Sequence, residues 1–116
     1  MVTKRKKEWI LVIRMFMEKI LKSTQCYDVT LFQTPQFGQI KGYRQVYRLT
    51  VNGEDHDDVL AEVYRIFNVP DLVPKDYDAR YVGTGDILLI DEGRYGQFFY
   101  RLSPDGWERI HRMHVR

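Results

Sequence analysis

The sequence predicts an α+β fold: an N-terminal amphipathic helix, then a curved antiparallel sheet of about five strands with one helix packed on it, ending in a three-strand meander. Three observations predict it. A helical apolar period runs through residues 3–23 and gives way to two-residue alternation from Tyr27. A second helical period occupies Asp55–Asn68, between strand-like segments. The last third then offers three β-rich runs joined by turns too short for a parallel crossover.

In the first segment, Trp9, Val12, Ile13, Phe16, Met17, Ile20 and Leu21 recur at spacings of three and four and form a broad apolar stripe. Arg14, Glu18 and Lys22 lie four apart on the opposite side, with Glu18 ahead of Lys22 in the favourable order. Leu11 and Met15 intrude on that polar side, so the amphipathicity is imperfect. Arg14 interrupts the densest apolar run, and a membrane span needs about 20 mainly apolar residues, so a transmembrane helix is not expected. An uninterrupted apolar region and a small-residue cleavage site are both missing, which argues against a signal peptide. The stripe, including Ile13, Phe16 and Ile20, is expected to dock on the core or on a second subunit. The alternative is a peripheral membrane contact in which Lys4, Arg5, Lys6 and Lys7 meet anionic lipid and Trp9 sits at the interface.

Tyr27–Gln33 alternates and is rich in β-formers, with Tyr27, Val29 and Leu31 on one face. Thr34–Gly42, with Pro35, Gly38 and Gly42, reads as a loop. Tyr43–Val51 returns to strand, placing Tyr43, Gln45, Tyr47, Leu49 and Val51 on one face, and Asn52–Gly53 is a turn signal. The helix at Asp55–Asn68 takes Asp55 as N-cap and sets Asp57 and Asp58 in its first turn, where carboxylates suit the helix dipole. Its apolar face is expected to be Leu60, Val63, Tyr64 and Phe67, and Pro70 and Pro74 end it in a loop reaching Asp78. Ile87-Leu88-Leu89-Ile90, bracketed by Asp86 and Asp91, has no polar alternation and should be buried on both faces. A turn at Glu92–Gly96, a strand at Gln97–Leu102, a turn at Ser103–Gly106 and a final strand over Trp107–Val115 complete the meander.

A chain of 116 residues fits one domain of ordinary size. Residues 1–25 are expected to form the basic helix and residues 26–116 the α+β domain. Apolar residues make up 44% of the chain and aromatics 14%, a composition that excludes disorder. Cys26 is the single cysteine, so no disulfide can form within the chain, and a reducing compartment, the cytoplasm, is the simpler expectation. The net charge of +2 hides an asymmetry: seven basic against two acidic residues give +5 before residue 26, while eleven basic against fourteen acidic give −3 after it. A mildly acidic body weighs against general nucleic-acid binding, which draws its affinity from phosphate neutralisation.

No catalytic, metal or cofactor set is expected. His111 and His114, three apart on the final strand, should point to opposite faces, and Cys26 and His56 are far away in sequence. Glu54-Asp55-His56-Asp57-Asp58 lacks the twelfth-position Glu of a calcium loop and opens a helix at once. Gly83-Thr84-Gly85-Asp86 precedes a strand, whereas phosphate-binding glycine loops open a helix. Ser23 and Ser103 lack a nucleophile-elbow context, and nothing in the sequence would activate Cys26. Two surfaces remain as partner-binding candidates. One is the acidic stretch with Asp57 and Asp58, where residues 54–78 hold eight acidic side chains against Arg65 and Lys75. The other is the basic C-terminus with Arg109 and Arg112. Aromatic residues interleaved with the latter are compatible with single-stranded nucleic acid, although rings on alternating strand positions more often belong to a core.

Four segments carry a family resemblance: YDVTLFQTPQ from Tyr27, KGYRQVYRL from Lys41, RIFNVPDLVPKDY from Arg65 and TGDILLIDEGRYGQFFYRLSPDGWERI from Thr84. In that order, the chain from Tyr27 to Arg116 resembles the YodL-like family of Bacillus and its relatives. The resemblance implies a non-enzymatic, sporulation-linked protein that acts on cell shape through the actin-like filament protein MreB. It also implies a domain reused as an accessory module in large mobile-element proteins. Gly85, Asp86, Gly93, Gly106 and Trp107 look architectural in that pattern. A cytoplasmic protein, or one peripheral at the inner face of the membrane, is the expectation that follows.

Overall fold

A computed structural model describes residues 25–116. Five strands form one sheet: β1 (Gln25–Gln33), β2 (Arg44–Gly53), β3 (Ile87–Asp91), β4 (Gln97–Ser103) and β5 (Gly106–Ile110). The one α-helix among the described residues, α1 (His56–Asn68), connects β2 to the long loop before β3. The strands lie in the order β2-β1-β3-β4-β5, and every neighbouring pair is antiparallel. The α+β architecture and the closing meander are as the sequence predicts. The expected N-terminal helix lies outside the described residues.

α1 forms where the sequence places a cap and an apolar period together. Asp55 has extended backbone, and its side chain accepts the Asp58 N–H, satisfying one of the free amides of the first turn. The Asp58 carboxylate in turn accepts the Glu54 N–H at 3.0 Å. Val59, Leu60, Val63 and Phe67 are buried; Tyr64, expected on this face, is instead 47% exposed. Val59 is buried in its place, packed against the buried Gly53 corner, where an added Cβ would stand 3.0 Å from Val59 Cγ2.

The helix packs on the face carrying Tyr27, Val29 and Leu31 of β1, Leu49 and Val51 of β2, and Leu88 and Ile90 of β3. β3 is the hydrophobic centre: Ile87, Leu88 and Ile90 are fully buried and Leu89 half-buried. An apolar run at this position needs cover on both sides, as the sequence anticipated.

β2 departs from simple alternation. Leu31 pairs with Tyr47 but Phe32 pairs with Gln45, so Val46 is an extra residue in a β-bulge. Paired residues share a face, and the bulge therefore moves Gln45 and Tyr43 to the side opposite Tyr47. The single face expected for Tyr43 through Val51 is thus split. The final strand is also shorter than expected. β5 stops at Ile110, and residues Arg112–His114 form one 3₁₀ turn capped by the His111 side chain, which accepts the Met113 N–H at 3.2 Å. His111 and His114 are consequently off the sheet, and the segment returns to the β1–β2 loop, where Gly42 N–H donates to Arg116 O at 2.6 Å.

The loop between α1 and β3 is fastened at two places. Asn68 imitates a strand neighbour: its Oδ1 accepts the Val82 N–H at 2.9 Å and its Nδ2 donates to Val82 O at 3.0 Å. Near its end, the carboxylate of Asp86, 1% exposed, accepts from Gly83 N–H at 2.9 Å, Gln33 Nε2 at 3.0 Å and Arg80 Nη2 at 2.9 Å. Arg80 Nη1 also donates to Thr34 O, while its Nε is buried without a partner among the described residues. Asp86 therefore joins β1, the loop and β3, the architectural part expected of it.

Candidate functional site

A cluster of titratable side chains forms at the surface where α1 begins. His56 is the first helical residue after the Asp55 cap, which aims its ring back over the sheet. Tyr100 from β4 and Glu92 from the end of β3 reach it. His56 Nδ1 is 2.6 Å from Tyr100 Oη, and Nε2 is 3.2 Å from Glu92 Oε1. With the Nε2 proton donated to Glu92, Nδ1 accepts the Tyr100 hydroxyl proton, so the carboxylate fixes the tautomer. Edge-on rings of Tyr27, Phe98 and Tyr100 surround the imidazole at centroid distances of 5.6, 4.9 and 5.7 Å. The Arg109 guanidinium covers Phe98 at 4.9 Å.

The setting is acidic and open. Tyr27, Glu54, Asp55, His56, Asp57 and Glu92 line a concavity of about 360 Å³. Burial pushes the Tyr27 hydroxyl above its ordinary pKa, and Glu92, Asp55 and Asp58 add to the rise. Burial likewise raises Tyr100; Arg109 opposes the shift, while Asp57 and Glu92 reinforce it. The arrangement links a carboxylate, an imidazole and a phenol by hydrogen bonds, and it presents clustered negative charge beside one exposed guanidinium. Among the described residues, no three His, Cys, Asp or Glu side chains are arranged to hold a metal ion. No described helix is long and apolar enough to cross a membrane.

Against known proteins, the chain is 55% identical over 101 residues to the uncharacterized protein YodL of Bacillus subtilis (strain 168), a match spanning 86% of this chain and 97% of that protein. The chain belongs to the YodL-like family. The match is longer than the stretch from Tyr27 to Arg116, so it takes in part of the N-terminal segment as well. No family model matches the chain, and no solved structure does.

On this YodL-like domain the four sequence-derived contact residues separate into different settings. Asp57 lines the acidic concavity, and Arg109 sits close enough to Tyr100 for both to bias its hydroxyl. Arg109 is the cross-strand neighbour of Tyr100, whose hydroxyl meets His56 in the lining that Asp57 shares. Asp58 is occupied in capping and borders a neighbouring concavity with Asn52, Gly53 and Arg65. Arg112 belongs to the terminal 3₁₀ turn and lines a further concavity with Gln97, Phe99 and His111. Lys4, Arg5, Lys6, Lys7, Trp9, Ile13, Phe16 and Ile20 lie outside the described residues. Sequence reading missed His56, Glu92 and Tyr100 as a group. Their only signal was a histidine set among carboxylates, and the distances along the chain conceal that β3 and β4 bring partners to it.

Proposed function

We propose that this chain is a non-enzymatic protein-binding module that modulates bacterial cell shape by acting on MreB, the role implied by the family resemblance. The observation that supports a protein partner is the surface around Tyr100. There the half-buried aromatics Phe98, Tyr100 and Trp107 continue the core outward, with Arg109 over Phe98 and opposite Tyr100 on the next strand, and with Glu92 joined to Tyr100 through His56. Tyrosine, tryptophan and arginine beside an apolar base are the residue types that anchor protein interfaces. The rings of the meander also favour a protein over single-stranded nucleic acid. Phe99 is only 7% exposed, and its neighbours pack against the core instead of offering free faces for stacking.

The test is co-sedimentation of the full chain with purified MreB filaments, repeated with Asp57→Lys and Arg109→Glu. Charge reversal at a real contact should weaken binding by roughly tenfold or more. Unaltered binding by both variants would remove the Tyr100 surface from consideration, and no co-sedimentation at all would remove MreB.

A further inference from the structure

A second surface combines exposed apolar side chains with uncancelled positive charge. Ile40, at the tip of the β1–β2 loop, is 74% exposed, and Met113, in the terminal 3₁₀ turn, is 69% exposed. The Gly42–Arg116 backbone hydrogen bond holds these two segments together. Between them, Ile40, Lys41, Arg101, His114 and Arg116 line a concavity of about 320 Å³. Arg101 is paired with Glu108 at 3.3 Å, whereas neither Lys41 nor Arg116 forms an ion pair with a carboxylate among the described residues.

The opposite end of the domain is acidic, with Glu54, Asp55, Asp57 and Glu92 around His56. The charge is therefore polarised, which orients the molecule at a charged plane. Apolar tips flanked by Lys and Arg are the pattern of a shallow interfacial contact, in which the alkyl groups enter the headgroup region and the cations meet phosphate. Nucleic acid fits less well at this concavity, because Ile40 and Met113 are aliphatic and the exposed ring of the same loop, Phe37, is not among its lining residues.

We propose that the β1–β2 loop tip and the C-terminal turn form a docking surface for an anionic lipid bilayer. Ile40 and Met113 enter the interface, and Lys41, Arg101, His114 and Arg116 face the headgroup phosphates. This contact is separate from the one the basic N-terminal segment would make, so the experiment keeps that segment intact.

Full-length protein is sedimented with phosphatidylcholine vesicles and with vesicles in which roughly one lipid in three is phosphatidylglycerol. Binding is expected on the anionic vesicles and not on the neutral ones. Lys41→Gln with Arg116→Gln should reduce it by about twenty-five-fold, each charge near the surface accounting for about fivefold. Ile40→Ser with Met113→Ser should reduce it by roughly tenfold, and this loss should persist at high salt while the loss from the charge variants shrinks. All four positions are exposed, and circular dichroism checks that the variants stay folded. Equal binding by wild type and both variants overturns the proposal and assigns the vesicles to another surface. So does absence of binding to the anionic vesicles, as would tight binding of a single-stranded oligonucleotide by protein that does not sediment with them.

Discussion

Arg80 donates from Nη2 across 2.9 Å to Oδ1 of Asp86, a carboxylate almost wholly removed from solvent. A buried anion with three donors is stable only while those donors stay in place, and losing it leaves the part-buried guanidinium without its counter-charge, its hydrogen bonding reduced to Thr34. Asp86→Ala should therefore cost about 3 kcal/mol in urea unfolding, more than any single surface ion pair in the domain. A loss below about 1 kcal/mol would mean that the loop can settle without this anchor.

The same carboxylate sets a pH dependence. Burial pushes its pKa above the ordinary 3.8, and the Gly83 N–H, Gln33 and Arg80 pull it down without overcoming burial. The folded state then holds this proton more tightly than the unfolded chain does. Its contribution to stability is complete below the unfolded pKa and is lost as pH rises through the folded one. Asp28 and Glu62, held down by Arg48 and Arg65, contribute with the opposite sign, losing stability as pH falls. Subtracting the stability of Asp86→Asn from that of wild type isolates the first effect. The difference should decline as pH is raised from about 4, and a flat difference would contradict the assignment.

Tyr77 should be the last tyrosine to ionise. Burial, followed by the Asp86 charge, pushes it up to about 12, and its hydroxyl donates to Arg80 O. Between the unfolded value of 10.0 and this one, the native state keeps a proton that the unfolded chain releases, so stability falls with rising pH in that window. Ultraviolet titration of the eight tyrosines should show a final step that coincides with unfolding and disappears in Tyr77→Phe.

His56 and Tyr100 should behave as a coupled pair. Replacing either one leaves a half-buried polar atom without its partner, so His56→Ala and Tyr100→Phe should each cost about 1–2 kcal/mol. The double variant should cost less than their sum by at least ~0.5 kcal/mol in a double-mutant cycle. Strict additivity would show that the 2.6 Å contact adds nothing.

Gly53→Ala tests the corner between β2 and α1. The new methyl would stand 3.0 Å from Val59 Cγ2 and 3.2 Å from Asp58 Cβ, both attached to the capped first turn. Because neither can retreat without disturbing the cap, thermal unfolding should report a loss of about 1–2 kcal/mol.

Local signals were legible wherever adjacent residues decide the outcome. Asp55 three residues before Asp58 specified a cap, and the unbroken apolar run of β3 specified burial on both faces. The misses share a cause: the deciding contact was distant in sequence. Val46 looks like any strand residue until the pairing of Leu31 and Phe32 makes it supernumerary. Nothing in Trp107–Val115 shows that His111 will cap its own backbone and end the strand. The His56 cluster depends on β3 lying beside β1 and β4 beside β3, a strand order that periodicity does not encode.

That strand order divides the sheet into an early hairpin, β1 with β2, and a late meander, β3 to β5. Each half is stitched by short-range turns, and they meet along one seam, Val29 against Ile90 and Leu31 against Leu88. Closing that seam must bring together segments separated by α1 and its long loop, so it bears most of the ordering entropy. The speed of folding should accordingly be governed by four aliphatic side chains at the middle of the sheet, while the halves on either side zip up on their own.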